Sequence, residues 1–129
     1  MISNLSREQS ERIDMVQDYV RRLENELGFD SQGVIEKCLL LGEEVGELFK
    51  AVRVQEGLPA DNRMSPVDIK HELADILIYL CTIANRYDIS LSKALLSKHA
   101  INTDRHWSSV SRNDTGQPEK LGLDRALND

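Results

Sequence analysis

The chain reads as all-α, a four-helix bundle whose core is completed by oligomerisation. Three observations predict this. Apolar residues recur in steps of three and four, as in Ile13, Val16, Val20, Leu23 and Leu27. No run of β-branched residues alternates with polar ones, so nothing reads as a strand. Helix start and stop signals divide the 129 residues into four segments, and a thin bundle of that length leaves apolar surface for a neighbour.

Ser6-Arg7-Glu8-Gln9 resembles a capping box and Gly28 a C-terminal stop, which predicts helix one over 7–27. Asp30 or Ser31 is a suitable cap for helix two, which ends near Gly57. A loop follows over 58–62. Ser65-Pro66 places a cap before a proline at the first helical position, so helix three runs from there to about Tyr87. Asp88-Ile89-Ser90 turns the chain into helix four, which extends to about Arg105. Residues 1–107 form the helical domain. Residues 108–129 are rich in Ser, Asn, Asp and Gly and form a polar tail or an arm that packs on a partner.

Composition removes several classes of function. A formal charge of -6 argues against a nucleic-acid polymer as partner, although bound metal and a few basic residues can still admit a small phosphate compound. The run over 73–84 is too short to span a bilayer and contains Asp75, and the N-terminus has no apolar signal region, so the chain reads as cytoplasmic and not membrane-bound. Cys38 and Cys81 each lie in an apolar helical run and are read as buried small hydrophobes in a reducing compartment.

Four carboxylates occupy positions where such helices place apolar residues. Glu44 and Glu47 lie in helix two, Glu72 and Asp75 in helix three, each pair at i, i+3. With Glu72 at zero on a helical wheel, Asp75 falls at about -60°, Tyr79 at about -20°, Ile76 at about 40° and Ile83 at about 20°. The acids therefore share a face with large side chains. Helix two is apolar nearly all round and is interrupted by a wedge of Glu43, Glu44 and Glu47. Gly42 and Gly46 border that wedge, which implies close helix approach or room for a ligand.

Carboxylates converging in a low dielectric repel one another unless a cation joins them. An all-oxygen donor set suits Mg²⁺, with Mn²⁺ as a substitute. A di-iron bundle would use Glu-x-x-His, which is absent, and His71, His99 and His106 have no ligand spacing to one another. Oxygen ligation without histidine favours Lewis-acid work on phosphate. Helix four carries Lys98, Asn102 and Arg105 at i, i+4 and i+7, one face suited to gripping a polyphosphate. Lys50 and Arg53, one to two turns beyond Glu47, are also within reach of phosphates, although the surface is the usual place for such residues.

Glu43-Glu44-Val45-Gly46-Glu47 followed by Glu72-Leu73-Ala74-Asp75, with the later element Lys98, Asn102, Arg105-His106-Trp107, resembles the MazG-like all-α nucleoside triphosphate pyrophosphohydrolases over roughly 31–107. The single motif set matches a one-domain member. The resemblance implies a MazG-like four-helix core in a homodimer or homotetramer. It implies Mg²⁺-dependent cleavage of an NTP or dNTP to the monophosphate and pyrophosphate, in nucleotide-pool house-cleaning. Glu44, Glu47, Glu72 and Asp75 would then hold the metal. Glu43 would act as the base for the attacking water or would orient a ligand, and Lys98, Asn102 and Arg105 would bind the substrate. Two other readings of the residues remain: a non-catalytic nucleotide- or metal-binding regulator, and a purely structural helical adaptor.

Overall fold

The computed structural model describes residues 5–59 and 68–104. They form four helices, α1 (Arg7–Leu27), α2 (Val34–Gln55), α3 (Ile69–Arg86) and α4 (Leu91–Thr103), with no strand among the described residues. The all-α reading holds. The Ser65-Pro66 cap, Arg105 and the tail from 108 lie outside the described residues.

Local chemistry sets most helix ends. Ser6 Oγ accepts from Gln9 N at 3.2 Å and the Gln9 side chain accepts from Ser6 N at 2.7 Å, a complete capping box. After α1 the chain turns through Gly28 in the left-handed region (φ 74°), and Phe29 N donates back to Glu24 O. The ends of α2 and α3 repeat that closure, with Leu58 N donating to Arg53 O and Ile89 N to Ala84 O. Gly57 takes the left-handed position after α2; Asp88 (φ 54°) takes it after α3, one of the few non-glycine types that tolerate it. Asp68 caps α3 by accepting from Lys70 N, and Ser90 caps α4 by accepting from Lys93 N.

The start of α2 departs from the sequence reading. Neither Asp30 nor Ser31 caps it; Gly33 stands at that position without a side-chain bond. The connection is held from a distant residue instead. Arg86, on the last turn of α3, donates to the carbonyls of Phe29 and Gln32.

α2 packs most extensively against α3, α1 lies on α3, and α4 lies on α1. Only Val20, Ala51, Cys81 and Ala84 are fully buried apolar residues among those described. The interior is instead bound by polar groups. Glu24 is 5% exposed and Lys37 3%. Arg86 grips Glu24 with two bonds, at 2.9 and 3.0 Å, and Lys37 Nζ meets the same carboxylate at 3.0 Å. Gln17 forms a second hub, bonded to Asn85, to the Ile89 carbonyl and to Leu91 N, which ties α1 to the α3–α4 turn. Asp14 accepts from Ser92 at 2.7 Å alongside it.

Cys81 is buried as read from the sequence, but Cys38 is exposed. A helix that is apolar on nearly every side has more apolar faces than one chain can cover, and Cys38 falls on an uncovered one. Leu39 and Phe49 are each 68% exposed on the same helix, and Leu73, Leu77 and Leu80 are exposed on α3.

Burial pushes the Glu24 carboxyl up, but the hydrogen bonds from Arg86 and Lys37 and their charges outweigh it and hold it below its ordinary 4.5. A lowered carboxyl contributes stability above its unfolded pKa and loses it as pH falls through the folded one. Glu24→Gln should therefore cost about 3 kcal/mol near neutral pH, because it leaves Lys37 and Arg86 buried without their anion. Urea unfolding at a series of pH values should show the gap to the parent chain shrinking below pH 4.5. A gap that stays constant with pH would refute this account of the triad.

Candidate metal centre

Glu43, Glu44 and Glu47 are carried by the middle of α2, Glu72 and Asp75 by the first half of α3. The two helices run antiparallel, since the start of α2 and the end of α3 meet at Glu24. The wheel expectation is met at three of these positions: Glu44, Glu72 and Asp75 are half-buried, and each offers a carboxylate oxygen within 4.8 Å of the others. Ile76 and Ile83 are half-buried on the same side, whereas Leu73, Leu77 and Leu80 point outward.

The electrostatics match that convergence. Partial burial, a carboxyl–carboxylate hydrogen bond with Glu72, and the charges of Asp75, Glu72 and Glu43 all raise the Glu44 carboxyl above its ordinary 4.5. Two carboxylates can share such a bond only if a proton stays between them. A divalent cation would replace that proton with a charge common to all three groups. The donors fit a hard ion. They are oxygens only, and a slight contraction brings them to the roughly 3–4 Å spacing found around ions with bonds of about 2.1 Å.

Glu47 turns elsewhere, and its Oε2 accepts from Lys50 Nζ at 3.1 Å. Glu43 is exposed one residue from Glu44 and acts on the cluster through its charge. A methyl group at Gly42 or Gly46 would meet nothing within 4 Å, so within the described chain these glycines leave open space and do not mark close helix approach. Lys98 is exposed and Asn102 half-buried on α4, the helix that packs on α1. The structure thus brings Glu44, Glu72 and Asp75 together, pairs Glu47 with Lys50, and leaves Lys98 and Asn102 on a different helix pair.

Tyr79 completes the surroundings. Its hydroxyl is raised above 10.0 by burial first and then by the charges of Glu44, Asp75 and Glu43. Lys37 Nζ lies 5.9 Å from the centre of its ring and 5.5 Å from that of Phe29. Tyr79 therefore lies near both the acid cluster and the buried cation. The wheel signals this position, since Tyr79 lies between Glu72 and Asp75 in angle, but spacing alone reads it as an apolar neighbour.

Comparison with known proteins agrees with the motif. Over 87 residues the chain is 36% identical to human dCTP pyrophosphatase 1, covering 64% of this chain and 51% of that protein. The chain thus spans about half the length of this curated relative. No solved structure is a significant match. The MazG nucleotide pyrophosphohydrolase domain matches residues 32–106, which contain both acid pairs and the α2–α3 seam, and the chain belongs to that family.

Proposed function

We propose that the protein is a Mg²⁺-dependent nucleoside triphosphate pyrophosphohydrolase, cytoplasmic, that clears an NTP or dNTP from the nucleotide pool. The observation that carries this is the convergence of Glu44, Glu72 and Asp75 on one point of a MazG domain. Water attacks the α-phosphorus, the bond from it to the bridging oxygen of the β-phosphate breaks, and the products are the monophosphate and pyrophosphate. Glu44, Glu72 and Asp75 hold the Mg²⁺, joined by Glu47 when it turns from Lys50. The ion supplies charge neutralisation to the phosphates and makes water a better nucleophile. Glu43 takes the proton from the attacking water. Lys98 and Arg105 stabilise the charge gathered on the leaving pyrophosphate and Asn102 positions it, which requires α4 of one chain to face the acids of the same or a neighbouring chain.

A homodimer or homotetramer supplies such a neighbour. With four fully buried apolar residues among those described and Leu39, Phe49, Leu73 and Leu77 exposed, the single chain has an incomplete core. A second copy is the proposed cover for these faces.

Three measurements test the reading. Incubation with Mg²⁺ and a panel of nucleotides headed by dCTP should yield monophosphate and pyrophosphate, and Glu72→Gln or Asp75→Asn should lower kcat about a hundredfold or more. Release of orthophosphate alone, or binding without product, would favour the regulator. Saturating Mg²⁺ should raise the melting temperature of the parent chain and not that of Asp75→Asn; equal shifts in both would place the ion elsewhere. Light scattering should give a mass of two or four chains, and Phe49→Glu should reduce it. A monomeric parent chain would sink the assembly.

A further inference from the structure

Glu47 belongs to the acid motif by sequence, yet its carboxylate lies outside the group formed by Glu44, Glu72 and Asp75. Its partner is Lys50, at 3.1 Å. Glu44, Glu47 and Lys50 follow one another at steps of three, each turned by about 60° from the last, so Glu47 sits between the cluster and the lysine. One side-chain rotation separates the two alternatives.

Lys50 is not an ordinary solvated lysine. Its side chain is 26% exposed against 46% for Glu47, so the lysine is the more enclosed member of the pair. The other described cations in ion pairs are engaged elsewhere. Lys37 and Arg86 are bound to Glu24 in the interior, Arg7 and Arg12 face Glu11 and Glu8, Arg21 and Arg22 face Asp18, and Lys70 faces Asp68. Among the described ion pairs, Lys50 is the cation that meets an acid of the motif.

We propose that Lys50 is a substrate-phosphate ligand held in reserve by Glu47. With a divalent metal held by Glu44, Glu72 and Asp75, Glu47 would leave Lys50 to join those acids, and the freed ammonium would take a phosphate oxygen of the nucleoside triphosphate. The exchange keeps charge matched at each stage. Before loading, the lysine neutralises Glu47, beside the cluster. After loading, the metal does so, and the partly enclosed lysine, now without an anion, favours the polyphosphate. This rests on the metal and substrate reading above.

The test is Lys50→Met, with Lys50→Arg as the variant that keeps the charge. Mn²⁺ binding without nucleotide is followed by the loss of the free-ion electron paramagnetic resonance signal. Pyrophosphate release is measured separately. Because Lys50 competes with metal for Glu47, Lys50→Met should bind Mn²⁺ about two- to threefold more tightly, the strength expected of a partly exposed pair. The same variant should raise KM for the nucleotide about tenfold, with a much smaller change in kcat. Lys50→Arg should restore both values toward the parent. Opposite signs on the two readouts distinguish exchange from a structural role, which would weaken both. Unchanged or weaker Mn²⁺ binding in Lys50→Met, or an unchanged KM, overturns the proposal while the parent enzyme stands. A parent chain that binds no Mn²⁺ and releases no pyrophosphate overturns both.

Discussion

Everything else in this structure depends on one buried carboxylate, Glu24. It receives two bonds from Arg86 and one contact from Lys37, so a single group joins α1, the first turn of α2 and the last turn of α3. Lys37 also donates to the Gln32 side chain at 2.6 Å, and Arg86 reaches the Phe29 and Gln32 carbonyls. The whole α1–α2 connection is thereby attached to the end of α3. Such a network is a weak source of net stability, because desolvating three charges offsets most of their attraction. Its strength is specificity: any other packing leaves a charge buried alone.

That specificity places the site. With the start of α2 pinned to the end of α3, the antiparallel register between them is set. Counting inward along each helix, seven residues beyond Lys37 is Glu44, and seven before Arg86 is Tyr79, each roughly 10 Å from the pin. Asp75 and Glu72 follow at the next turns of α3. Three acids therefore converge from two helices at a level where their own carboxyl contact joins α2 to α3. The pin lies about two turns from Glu44 along α2 and about three to four turns from Asp75 and Glu72 along α3, which lets the cluster respond to a ligand without endangering the packing.

The parts legible in the sequence are those decided locally. The Ser6–Gln9 box, Gly28 and the Ser90 cap need only neighbouring residues, and α1, α2 and α3 follow from periodicity. The trio Glu44, Glu72 and Asp75 is legible because the helix-three wheel sets Glu72 and Asp75 among large side chains and Glu44 lies in an acidic wedge of an otherwise apolar helix. The triad was not: Glu24 and Arg86 are 62 residues apart, and each has ordinary charged neighbours in sequence. The cap of α2 was misplaced for the same cause, since Arg86 does from afar what Asp30 or Ser31 would do nearby. Cys38 was misplaced because a helix apolar all round does not declare which face stays open. Which way Glu47 turns depends on a rotamer and on Lys50, and a wheel resolves neither.

The distribution of cations explains why a divalent ion is central to the proposed chemistry. The chain has 16 Lys and Arg against 22 Asp and Glu. Two of its best-enclosed cations, Lys37 and Arg86, serve architecture, both bound to Glu24. A polyphosphate approaching Glu44, Glu72 and Asp75 would meet repulsion that the fold's own interior does not cancel. In the proposed chemistry the positive charge comes from an ion common to the three carboxylates and from side chains able to change partners. A fold that locks its internal cations for register thus leaves the proposed catalysis to exchangeable ones, on the same pair of helices and about two to four turns away.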